Sequence, residues 1–127
     1  MNSFNDTILG TMLFYKDTTS WEVLTKGIKF EIAGDDVQPD PRLLSHAHDI
    51  ERSIHRFLES ISGFLKEEAE VKTGAAEEIK KIKIESIVLC WPDRPNDGLI
   101  YFKGSDNDHL WRCDYINRKP MNLTFDE

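Results

Sequence analysis

Two stretches of this sequence hold side chains whose types and spacing could do chemistry. The first is the closing segment HLWRCDYINRKPMNLTFDE, which brings Trp111, Arg112, Asp114, Tyr115, Arg118 and Lys119 close together. Trp, Tyr and Arg dominate the energetic centres of protein interfaces, so the chemistry offered here is partner binding. The second is a helical face. Glu51, His55 and Glu59 recur every four residues, and His48 lies one heptad before His55, so all four share a side. Neutral imidazole and carboxylate both coordinate divalent transition ions, which makes this face a candidate metal or enzymatic site. Arg52 and Arg56 are interleaved with it and oppose a bound cation. A solvated face of Glu–Arg and Glu–His pairs accounts for the same residues. His46 and Asp49, one turn apart, carry a weaker form of the same signal.

Other chemistries find less. The loop GSDNDH places Asp106 and Asp108 like the start of a calcium loop, but the required Gly and the closing Glu are missing. His109 and Cys113 would share one face of a strand, yet four residues separate them by about 13 Å at ~3.3 Å each, too far for a hydrogen bond. There is no nucleophile elbow, phosphate-binding loop or glycine-rich dinucleotide turn. No cofactor is implied, and an enzyme is the lesser reading. Cys90 and Cys113 lie in apolar runs without thiol or His companions, as expected of buried reduced thiols.

The elements that position these residues follow from periodicity. In TILGTMLFY, Ile8, Met12 and Phe14 share one side with Gly10, and Leu9, Leu13 and Tyr15 share the other. WEVLT and IKFEI continue as strands, the latter strictly alternating, so residues 6–33 predict a β-meander. Asp40 followed by Pro41 predicts a helix start. From there Leu43, Ala47, Ile50, Ile54, Phe57, Ile61 and Phe64 recur in steps of three and four, which predicts one long amphipathic helix. The charged run after Leu65 predicts a bend and a second, solvated helix, closing a helical segment over 40–81. IKIESIVLCW, LIYFK and HLWRCDYI predict three more strands over 82–125, with INRKP as a turn and MNLTF running back as a short strand. The expected fold is a single α+β domain over 1–127: an antiparallel sheet in the order βββ–α–βββ, with one long helix packed on one face. Alternation then turns Trp111, Cys113 and Tyr115 inward, leaving Arg112, Asp114, Arg118 and Lys119 to touch something else.

Composition bounds the function. At 39% hydrophobic and 31% charged residues the chain is an ordinary globular protein, not a disordered one. Sixteen basic against 23 acidic residues give a net charge of −7. Nucleic-acid binding draws on clustered Lys and Arg, so that class is disfavoured, while a basic protein partner would be attracted. The opening MNSFNDTILGTMLF lacks a basic n-region and a cleavage site, and no run approaches ~20 apolar residues. No membrane association and a cytoplasmic location are therefore expected. A monomer fits these features, as does a homodimer formed through the helix seam or a sheet edge.

The segment IESIVLCWPDRPNDGLIYFKGSDNDHLWRCDYINRKPMNLTFDE resembles the C-terminal part of small uncharacterised bacterial α+β domains. The resemblance rests on an ESI strand, a hairpin with a central aromatic, and an L-x-F-D ending from Leu123 to Asp126. The opening LGTMLFYKDTTSWE is similar to the start of such domains. Some of them sit beside polymorphic toxins and are regarded as immunity proteins. The resemblance implies a bacterial cytosolic binding module of the toxin-neutralising kind, and it implies no catalytic residues.

Overall fold

The computed structural model describes residues 2–104 and 110–126. Eight strands form one sheet in chain order. They are β1 (Ser3–Asp6), β2 (Gly10–Tyr15), β3 (Ser20–Thr25) and β4 (Ile28–Ala33), then β5 (Lys83–Leu89), β6 (Gly98–Lys103), β7 (Leu110–Ile116) and β8 (Lys119–Asp126). Between β4 and β5 run helices α1 (Pro41–Arg52), α2 (Ile54–Val71) and the short α3 (Ala76–Ile79). The α+β class inferred from the sequence is present, with more pieces than the βββ–α–βββ layout.

Two of the departures have a local cause. Thr7–Leu9 is a turn and not strand, because the Asp6 carboxylate accepts the N–H groups of Ile8 (3.1 Å) and Leu9 (2.8 Å). Gly10 then takes φ +103, a conformation open to glycine, and an additional strand β1 forms before the turn. The long helix is interrupted at Ser53 (φ −116, ψ 35), whose hydroxyl donates to the Asp49 carbonyl at 2.7 Å. A serine that bonds back to the preceding turn competes with the helical ladder. The stripe survives the break, since Ile50 and Ile54 on either side of it are both buried. At the N-terminus of α1 the Asp40 carboxylate caps the N–H of Arg42 at 2.9 Å, with Pro41 in the first turn.

The third departure is one of direction. β4 pairs with β5 in parallel, Phe30 beside Ile87 and Ile32 beside Leu89, while the other pairings are antiparallel. A parallel return needs a long crossover, and the helical segment supplies it. The last hairpin is tight: Asn117 (φ +52) and Arg118 (φ +65) form its two-residue turn, and β8 begins immediately after it at Lys119.

All the helices cover one face of the sheet. Met12, Trp21, Phe30, Ile32, Ile87, Leu89, Ile100, Phe102 and Cys113 meet Leu43, Ala47, Ile50, Ile54, Phe57 and Ile61 in a single core. Burying each large apolar side chain contributes about 1.5–3 kcal/mol, so this layer dominates stability. Trp21 is fully buried, and its indole N–H donates to the Asp35 carbonyl at 2.8 Å. Cys113 is buried as expected, whereas Cys90 is only half-buried; both are free thiols.

Gly98 starts β6 where a side chain has no room, since a Cβ there would stand 2.5 Å from the Val88 carbonyl oxygen. Gly63 lies on α2 with nothing within 4 Å of its would-be Cβ. In urea titrations Gly98→Ala should cost about 2 kcal/mol through forced backbone movement. Gly63→Ala should stabilise by about 0.5–1 kcal/mol through helix propensity.

Candidate functional site

The closing hairpin divides as its alternation requires. Trp111, Cys113 and Tyr115 are buried on the helix-covered side, and Arg112 and Asp114 lie half-buried on the opposite side. Burial pushes the Cys113 thiol up to about 12, so it stays protonated and is a poor nucleophile. Asp114 accepts the Asn122 side-chain amide at 3.0 Å. Lys119 is exposed.

Arg118 is exposed, but its guanidinium is not free. Its Nε donates to Asn96 Oδ1 at 2.8 Å and its Nη2 to Asp49 Oδ2 at 3.0 Å, while the backbone N–H of Asn117 reaches Asp97 Oδ1 at 2.8 Å. These bonds clamp the hairpin tip to the β5–β6 loop and to α1. Beside the clamp lies His46, which is buried and stacked on Tyr115 with centroids 5.7 Å apart. Its Nδ1 bonds the Pro95 carbonyl and must therefore donate. Burial first and the Arg118 charge second hold the imidazole below its ordinary pKa, so it is neutral. His46 and Asp49, faint in the sequence, thus meet Tyr115 and Arg118 in three dimensions, and their role there is to fasten the hairpin.

The helical His/Glu face is drawn into other contacts. His48 Nε2 lies 2.8 and 2.9 Å from the two oxygens of Asp6, and Glu51 pairs with Lys26 at 2.8 Å. Burial tends to raise the Asp6 pKa, but hydrogen bonds from Leu9, His48 and Ile8 outweigh it and hold the carboxyl low. His55 and Glu59 are exposed beyond the break at Ser53. Among the described residues no three His, Cys, Asp or Glu side chains are grouped as metal ligands. Asp106, Asp108 and His109 lie outside the described residues.

The helix-free face of the sheet offers a different site, one that periodicity alone does not assemble. One row across it runs Leu13, Glu22, Glu31, Val88, Leu99 and Asp114; the next runs Leu24, Lys29, Ser86, Tyr101 and Arg112. Arg112 and Asp114 of the closing hairpin are therefore the β7 members of these rows. Glu22 stands directly opposite Glu31, an arrangement that like charges disfavour. Partial burial, repulsion from Glu22 and Glu85, and a hydrogen bond shared with Glu22 together raise the Glu31 pKa against the pull of Lys29. Lys29 itself is 3.7 Å from Glu22. A hollow of about 390 Å³ opens here, with Ser20, Lys29, Glu31, Ser86, Val88 and Tyr101 among its walls. Leu13, Tyr15 and Leu24 are exposed on the same face, Leu24 at 71%. Glu31 thus has two carboxylates, Glu22 and Glu85, and one ammonium, Lys29, acting on it, a balance that an incoming cation would improve.

No protein-family model, curated protein or solved structure matches the chain. No helix among the described residues is long and apolar enough to cross a membrane.

Glu31→Gln should stabilise the protein by about 0.5–1 kcal/mol at pH 7, by removing the opposed charge. A raised native pKa means that stability is lost as pH climbs through it. Below the ordinary glutamate value of 4.5 the group is protonated in both states, so the variant's advantage should vanish there. Urea midpoints from pH 3.5 to 8 measure the trend; a constant offset across that range contradicts it.

Proposed function

We propose that this protein is a non-catalytic binding module for a basic protein, engaged through the helix-free face of its sheet. The observation that carries this reading is the opposition of Glu22 and Glu31 at the centre of that face, with Glu85 adjacent. Such an arrangement weakens the fold, and a Lys or Arg from a partner turns it into an attractive one. The surroundings suit a docking surface: a shallow hollow, exposed Leu13, Tyr15 and Leu24, and Tyr101 and Arg112 side by side. The net charge of −7 supports steering of a basic partner over long range.

The resemblance of both ends of the chain to immunity-protein-like domains suggests a more specific form, in which the partner is a toxin and occupation of its surface neutralises it. The metal or enzymatic alternative draws less support, because His48 and Glu51 already serve Asp6 and Lys26.

Retrieval of partners from host extract tests the reading, comparing the parent chain with Glu22→Gln plus Glu31→Gln and with Leu24→Asp. The expected result is a partner of basic isoelectric point that both variants hold about tenfold more weakly, a loss of roughly 1.4 kcal/mol, while the Gln variant unfolds at higher urea. Recovery that is equal for all three chains removes the open face from consideration. Where the retrieved partner arrests growth when expressed alone, co-expression of the parent chain should restore it.

A further inference from the structure

On the helical side of the molecule, away from the open sheet face, a groove of about 680 Å³ lies between α2 and the points where β4 and β5 begin. Its floor is aliphatic. Ile28, Ile61 and Ile82 are buried there, Leu65 and Ile84 are half-buried, and Leu58 is 38% exposed. Its polar lining is of one sign: Lys26, Lys66, Lys80 and Lys83 all border it, and no carboxylate does. In a chain with a net charge of −7, four of the sixteen basic residues surround one apolar recess. Two of the four are paired outside the groove, Lys26 with Glu51 and Lys80 with Glu77. Lys66 and Lys83 make no ion pair among the described residues, and their ammonium groups are available to a ligand.

We infer that this groove binds a single-chain carboxylate, an aliphatic tail lying on the isoleucine floor with its head group between Lys66 and Lys83. The volume falls in the range of small-molecule sites, which are mostly apolar with a few polar groups that fix orientation. Along α2 the groove runs from Leu58 to Lys66, about 12 Å at 1.5 Å per residue, a length suited to an extended chain of about ten carbons. A lysine rim favours this occupant over a protein, since lysine is depleted where proteins meet and its flexible stem suits a point contact with one anion. The inference concerns a surface separate from the partner face and does not depend on it.

Titration of the full chain with decanoate below its micelle concentration, followed by methyl NMR, tests the assignment. Decanoate should shift the methyl resonances of Ile28, Ile61 and Ile82 and should bind about tenfold more tightly than decanol or decyltrimethylammonium. Lys66→Glu and Lys83→Glu should each weaken decanoate severalfold with unchanged urea midpoints, while Lys16→Glu, the same charge change outside the groove, should not. Equal affinity for the anionic and cationic probes overturns the assignment, as do shifts elsewhere in the protein. A groove that ignores decanoate but takes up an acidic amphipathic peptide would also overturn it, in favour of a protein ligand.

Discussion

Phe30 and Ile32 of β4 stand beside Ile87 and Leu89 of β5, all four fully buried, at the one parallel pairing among the described strands. On either side of this seam lies a four-stranded antiparallel meander, and neither meander alone covers its own apolar face. The helices that make the parallel return possible also roof the seam, so connectivity and core are solved by the same segment. The closing hairpin depends on that roof as well. Tyr115 packs edge-on to Phe57 of α2 and stacks on His46 of α1. Its outward neighbours Arg112 and Asp114 are thereby fixed on the far side.

The two faces of the sheet divide the work. The covered face is mostly apolar and dominates stability. The open face tolerates a direct carboxylate opposition, an arrangement that weakens a sheet without improving its packing. Proteins accept such losses where a surface serves something other than folding. The exposed Leu24 and the crowded Glu22 and Glu31 are neighbours in space, so the apolar and electrostatic irregularities of the sheet coincide.

What was legible in the sequence was whatever depends on neighbours along the chain. Ile28, Phe30 and Ile32 alternate and are buried; Asp40 and Pro41 start a helix and do so in the structure. The inward set Trp111, Cys113 and Tyr115 was equally plain. Features that depend on distant pairing were not. Asp6 meets His48 from 42 residues away, and Arg118 finds Asp49 from 69 residues away. The Glu22–Glu31 opposition exists only once the register of β3 against β4 is known. The helix break at Ser53 is local, but serine tolerates helix interiors often enough that its type alone does not mark a break.

Because strand order in the sheet equals strand order in the chain, nearly every pairing joins immediate neighbours across a short turn. The seam is the exception, for the whole helical segment intervenes between β4 and β5. Loop-closure entropy is therefore small at six junctions and large at one. Each meander can zip up from its own hairpins without waiting for the other. The largest loop-closure cost of folding therefore falls on the seam, where Phe30 and Ile32 must meet Ile87 and Leu89 across the whole helical segment.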